Sequence, residues 1–218
     1  MEEEGVVNVK VVPVGLDTSI IKIGSEKKEE LRHALHLPRN KKLLLFVGRL
    51  ETYKRPWAAV ELLERVGSQY GLVIIGEGSL QQRIQKQIKE NGLEGRVFYY
   101  SRIPNMQMYQ YYAACDYFVN FNSHEIFGMS ILEAMYQGCV VLARRAPGPE
   151  QIIEDGVSGF LCDSDKEMDK ILLADLQLLD MGEKARQRIK EHFTWDINAE
   201  RIRQQVLQWF DQNDFGKA

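Results

Sequence analysis

The chain has 218 residues and a formal net charge of −3, with hydrophobic residues at 44% and charged residues at 27%. That balance suits one sizeable soluble α/β domain; it argues against disorder, and no apolar run approaches the roughly 18 residues of a transmembrane helix. The small net charge gives no broad footprint for nucleic acid, and the basic clusters at Lys27–Lys28 and Arg39–Lys42 read as solvated faces.

The start, "MEEEGVVNVK", is acidic and lacks the basic and apolar segments of a signal peptide, which predicts a cytoplasmic location. Cys115, Cys139 and Cys162 stand in or beside apolar segments and read as small core residues of a reducing compartment. In chain order, "VVNVKVVPVGLD" predicts a short lead-in strand, and residues 25–36 an amphipathic helix with Ser25 as N-cap and Pro38 beyond its end. Strand-like runs then alternate with helical patterns: "KLLLFVG", a helix from about Arg55, "GLVIIG", a helix from about Ser79, "RVFYY", a helix from about Asn105, "DYFVNF", a helix from about Gly128, and "CVVLA".

That alternation predicts βαβ units in a single Rossmann-like, doubly wound parallel sheet, with ligands bound in the loops at the carboxyl ends of the strands. The tail "GEKARQRIKEHFTWDINAERIRQQVLQWF" predicts two helices broken near Phe193–Trp195, with Thr194 capping the second. The expected organisation is a lead-in strand and linker over 1–24, a Rossmann-like ligand-binding domain over 25–192, and a C-terminal helical extension over 193–218.

Three of the loops carry candidate chemistry. "FVGRLETYKRP" offers Gly48 for close backbone approach, with Arg49 and Lys54 as cations able to converge on a phosphate. "IIGEGSL" has Gly76 and Gly78 but lacks the third glycine of the dinucleotide fingerprint, so these read as turn formers. In "SHEIFGMSILEAM", Gly128 starts a short apolar helix whose first amides, near Met129 and Ser130, suit a diphosphate. Glu133 lies a little over one turn into that helix, in reach of a ribose diol, and Glu125 lies before it.

The same glutamate spacing recurs at Glu183 and Glu191 in a highly charged segment, where it reads as an exposed helix face. Asp163 and Asp165 in "CDSDKE" form an Asp-x-Asp pair that reads as helix capping before metal binding. The four histidines form no evident metal cluster, and only His124, beside Glu125, lies in a candidate loop.

Together, "VGRL", "YKRP", "IIGEGSL", "DYFVNFNSHEIFGMSILEAMYQGCVVLA" and "IIEDGVSGFL" resemble the C-terminal, donor-binding half of retaining glycosyltransferases of the GT-B fold, family 4 type, over about Val11 to Phe210. The resemblance implies that Arg49 and Lys54 neutralise the diphosphate of a nucleoside diphosphate sugar and that Glu125 contacts the sugar. It implies backbone contacts from Phe127, Gly128, Met129 and Ser130, a ribose on Glu133, and a base read by the backbone of Arg102 and Ile103. It implies no metal or other cofactor, and an acceptor-binding N-terminal half outside these residues, through which peripheral membrane association is conceivable. The sequence departs from the family pattern at Ile126, where glycine is common, and at Ala146–Gln151, where a Gly-Gly turn is common. A non-catalytic nucleotide-sugar or partner-binding module stands as the alternative, and a nicotinamide oxidoreductase fails on the missing glycine and ribose acid.

Overall fold

Six short runs of branched, aliphatic and aromatic residues form one parallel sheet in a computed structural model describing residues 11–21, 27–174 and 180–212. They are β1 (Lys42–Val47), β2 (Tyr70–Ile75), β3 (Val97–Tyr100), β4 (Tyr117–Asn120), β5 (Val140–Arg144) and β6 (Phe160–Cys162), in the order β3-β2-β1-β4-β5-β6. The helices are α1 (Lys28–Ala34), α2 (Pro56–Arg65), α3 (Gln81–Glu90), α4 (Asn105–Ala114), α5 (Met129–Tyr136), α6 (Pro147–Ile152), α7 (Asp165–Leu173), α8 (Met181–His192) and α9 (Trp195–Gln212). A 3₁₀ turn, Thr52–Lys54, precedes α2.

Alternate residues of each strand point to opposite faces, and both faces are apolar. Leu43, Leu45, Val73, Phe118 and Val141 pack with Tyr112, Ile131, Leu132 and Ile189 of α4, α5 and α8. Leu44, Phe46, Leu72, Ile74 and Leu142 pack with Leu62, Ile84 and Met168 of α2, α3 and α7. Burial on both sides is why the strands read as continuous apolar runs instead of alternating ones. The direction of winding reverses between β1 and β4, which opens a crevice at their carboxyl ends. The three cysteines are buried and free, and burial pushes the Cys139 and Cys162 thiols up to about 12, so they behave as core residues.

The lead-in differs from expectation. Among the described residues 11–21 there is no strand, only an isolated parallel bridge between Leu16 and Thr194; Ser25 and residues 6–10 lie outside the described residues. Leu16 is fully buried, donates its N–H to the Phe193 carbonyl at 2.7 Å and accepts from the Trp195 N–H at 3.0 Å. The segment is therefore tied to the α8–α9 junction, whose carbonyl and amide are freed by the break between those helices. Thr194 caps α9 as expected, its Oγ1 accepting from the Ile197 N–H at 3.4 Å.

Where the sequence departs from the family's Gly-Gly turn, at Ala146–Gln151, Pro147 starts α6, and the Gly148 N–H donates to the Glu125 carbonyl at 2.8 Å, bracing the loop after β4. The capping expected of the Asp-x-Asp pair is corrected. At α7, Ser164 takes the N-cap position without a side-chain bond, and neither Asp163 nor Asp165 caps the helix. Asp165 instead faces Arg55 and Arg144, whose full charges outcompete backbone amides for its carboxylate.

Gly76 has a structural reason beyond turning. A Cβ built there would lie 1.9 Å from the Gly48 carbonyl oxygen, so the loops after β1 and β2 cross in contact. With φ at +152°, the Gly76 backbone also disfavours a side chain. Gly76→Ala is expected to destabilise by more than about 1 kcal/mol, read as a lower urea midpoint at unchanged m-value.

Candidate functional site

The crevice between β1 and β4 brings together residues 71 positions apart in sequence. Lys54, at the end of the 3₁₀ turn, places Nζ 2.5 Å from Oε2 of Glu125, with side chains 22% and 12% exposed. Gly48 lies against the Lys54 stem: a Cβ there would stand 3.8 Å from Lys54 Cδ. Two further donors reach the same Glu125 oxygen, Nδ2 of Asn120 and Nδ2 of Asn122, each at 3.3 Å. Both amides are oriented by the backbone. The Asn122 N–H donates to Asn120 Oδ1 at 2.9 Å and the His124 N–H to Asn122 Oδ1 at 3.0 Å, which turns each NH₂ toward the carboxylate.

Burial opposes ionisation of Glu125, but the hydrogen bond and charge of Lys54, with the Asn120 and Asn122 amides, hold its carboxyl below the ordinary value. The donors from Lys54, Asn120 and Asn122 all load Oε2. A carboxylate has acceptor capacity on both oxygens, so Oε1 remains able to take a ligand hydroxyl.

Glu133 behaves oppositely. It lies on the buried α5, accepts from the Tyr112 hydroxyl at 2.7 Å, and burial raises its carboxyl above the ordinary value, with the Tyr112 hydrogen bond pulling the other way. It lines a small cavity of about 40 Å³ with Ile20, Ile21, Met108 and Tyr109. Gly128, in the left-handed conformation at φ +70°, turns the chain into α5 and leaves the amides of Met129 and Ser130 in the first helical turn, beyond any intrahelical acceptor. Phe127 and Met129 are exposed beside Ile126.

Three expected residues stand apart. Arg49 does not converge with Lys54: its side chain is 75% exposed and its guanidinium is 3.9 Å from Glu51, while Lys54 is drawn to the more buried Glu125. Arg102 and Ile103 line a separate open recess with Pro104 and Asn105, and Arg102 pairs at 3.4 Å with Glu77 on the surface. Asn120, Asn122 and Tyr112 were missed as site residues. The signal for the asparagines was present, since two polar residues two apart at the end of an apolar strand share one face. Among the described residues, no three His, Cys, Asp or Glu side chains are grouped to hold a metal ion, and no helix is long and apolar enough to cross a membrane.

The sequence pattern of the family described as "Glycosyl transferases group 1" matches residues 27–194. The chain belongs to this family. It is similar to D-inositol 3-phosphate glycosyltransferase of Corynebacterium jeikeium, 31% identical over 211 residues, which cover 89% of this chain and 50% of that protein. It is also similar to lipopolysaccharide 1,2-N-acetylglucosaminetransferase of Salmonella typhimurium, at 26% identity over 94% of this chain and 58% of the relative. The group 1 chain thus spans about half the length of the curated relatives it matches. In fold it is similar to Anabaena HepE, solved with UDP and glucose, at TM-score 0.79 and 24% identity over 90% of this chain and 56% of the other. The C-terminal domain of the Francisella tularensis group 1 protein LpcC matches at TM-score 0.71 and 20% identity, over 83% of this chain and all of that one. The sheet and its covering helices are those of a Rossmann-like domain of the GT-B fold.

The Lys54–Glu125 pair has a pH signature. A carboxyl depressed in the folded state contributes stability that is present above its unfolded value, about 4.3, and is lost as pH falls through the folded value. Lys54→Met is expected to raise the Glu125 titration midpoint and cost about 1.5–3 kcal/mol at pH 7. That cost should shrink in acid, as measured by urea unfolding at pH 7 and pH 3.

Proposed function

We propose that these residues form the donor-binding, C-terminal half of a retaining glycosyltransferase of family 4 type, one that moves a hexose from a nucleoside diphosphate sugar to a glycan or lipid-linked acceptor. The observation that carries the reading is the Lys54–Glu125 ion pair at the β1–β4 crevice, just ahead in the chain of the amino end of α5, with Glu133 about one turn into that helix. That order fits a sugar, a diphosphate and a ribose laid along one helix end. The family membership supports glycosyl transfer, and the UDP and glucose of HepE make a uridine donor a reasonable first probe.

In this reading the bond between the anomeric carbon and the diphosphate oxygen breaks, and negative charge develops on the leaving group. Lys54 has three donors, of which Glu125 takes one, so a phosphate oxygen can share the same ammonium. The α5 amides add a fixed positive field, and Arg49 reaches in from its exposed position on binding. Glu125, ionised and held by Asn120 and Asn122, accepts from a sugar hydroxyl through Oε1. Glu133 takes the ribose diol, Phe127 to Ser130 offer backbone, and the Arg102–Ile103 loop reads the base. Because cations and helix amides supply the positive field, we propose that binding needs no metal. Acceptor binding is assigned to a further domain outside these residues, since the chain spans about half the length of the relatives it matches.

A thermal-shift series with UDP, GDP, ADP and TDP and their glucose conjugates, with and without EDTA, tests the donor site. One nucleotide is expected to stabilise the chain equally in EDTA; binding that vanishes on chelation and returns with manganese would refute the metal-free reading. Glu133→Ala is expected to weaken nucleotide and nucleotide sugar, and Glu125→Ala mainly the sugar-bearing ligand, each by about 1.5–3 kcal/mol or roughly ten- to hundredfold. Glu183→Ala is the silent control, and equal losses on bare nucleotide would contradict the layout.

Transfer itself is expected to be almost silent in these 218 residues. Holding an acceptor against the anomeric carbon is worth roughly 7–11 kcal/mol of barrier, and a donor half alone does not supply it. A transfer assay with and without an added acceptor domain checks this, and efficient turnover by the chain alone would overturn the half-enzyme reading.

A further inference from the structure

Arg55 adopts the left-handed conformation, φ 52° and ψ 51°, a state that non-glycine residues rarely hold. Its place in the chain explains the demand. Pro56 follows and disfavours the right-handed helical state for Arg55, while the 3₁₀ turn ends at Lys54 immediately before it. Only a sharp reversal at Arg55 lets the chain leave that turn and start α2 at once. Were Arg55 to relax to extended backbone, the Lys54 side chain would swing away from Glu125.

The Arg55 side chain is fixed at its far end. Its guanidinium meets Asp165 twice, NH1 to Oδ1 at 3.2 Å and NH2 to Oδ2 at 2.6 Å, and NH1 also approaches the Phe121 carbonyl at 3.5 Å. Asp165 is itself held, because Oδ1 also accepts from Arg144 NH1 at 3.0 Å. Arg144 in turn donates to the carbonyls of Cys162 at 3.2 Å and Asp163 at 2.7 Å. The chain of contacts runs from the β5–β6 end of the sheet, through one carboxylate, to the left-handed residue beside Lys54. We propose that Asp165 is a positioning residue: through Arg55 it stabilises the left-handed turn that aims Lys54 at Glu125.

The proposal rests on the donor-site reading only for its consequence in binding, because the Lys54–Glu125 geometry is measurable by itself. Among the described residues, Lys54, Asn120 and Asn122 donate to the Glu125 carboxylate and Lys54 is the charged one, so its titration reports the Lys54 contact. The side-chain carboxyl of Glu125 is followed by ¹³C NMR in the full chain, assigned with Glu125→Gln, and Lys54→Met gives the midpoint without the lysine. Asp165→Asn and Arg55→Ala are expected to shift the midpoint upward toward that benchmark. Glycine adopts the left-handed state without a Cβ penalty, so the double variant Arg55→Gly/Asp165→Asn is expected to return to the wild-type midpoint.

A wild-type midpoint in Asp165→Asn overturns the proposal, as does a double variant as shifted as Asp165→Asn alone. If Asp165→Asn does not fold, Arg55→Ala and Arg55→Gly decide it: a shift in the alanine variant alone supports the clamp, and identical midpoints overturn it. Binding of the glucose conjugates of UDP, GDP, ADP and TDP is measured in parallel. If the wild type binds none of them while the midpoints follow this pattern, the clamp stands and the donor assignment fails.

Discussion

The parallel pairing of β1 with β4 is the constraint on which the site depends. Leu44 lies opposite Tyr117 and Leu45 opposite Phe118, so the loops leaving the two strands emerge side by side at the point where the winding reverses. The register is pinned at the other end by Asp116. Its Oδ2 accepts from the Leu43 N–H at 2.7 Å and pairs with the buried Arg32 at 2.6 Å, while its own N–H donates to the Leu43 carbonyl at 2.9 Å. Burial opposes the Asp116 charge, and Lys28, Arg32 and the Leu43 amide overcome that and hold its carboxyl low. An ionised aspartate at the base of the strand pair therefore fixes which loop residues meet at the top.

At the top, two glutamates joined by one short helix sit in opposite electrostatic surroundings. Glu125 is surrounded by donors and held ionised; Glu133 is buried against the core with one phenol and is pushed toward its neutral form. Divergence of this kind between neighbouring carboxyls is how a protein gives the same side chain different tasks. Lys54 and two backbone-locked asparagines compensate the Glu125 charge, whereas Glu133 has the Tyr112 hydroxyl as its hydrogen-bond donor.

The polar groups that support the site come from distant parts of the chain. Gly148 of α6 braces the Glu125 backbone, Asp165 of α7 holds Arg55, and Gly76 allows the β2 loop to touch the β1 loop. Each is a contact between loops at the same edge of the sheet, where the strand ends bring several backbone segments within a few ångströms. In the sequence, Gly148 read as part of a departure from the family turn and Asp165 as a helix cap, because local propensity was the only information there.

The sequence by itself determined the sheet, its two-sided burial and the position of α5, because strand runs, helix starts and Gly128 are local signals written in side-chain volume and backbone freedom. It also marked Glu125, Glu133, Gly48 and Lys54 as candidates and the Thr194 cap. Only the tertiary structure decided which charges meet. Lys54 turned to Glu125 while Arg49 stayed in solvent, Asp165 took two arginines in place of a helix end, and the lead-in bonded to the α8–α9 break. The physical reason is range: apolar periodicity acts between neighbours in sequence, whereas an ion pair is chosen by distance and burial after the strands have set the loops side by side.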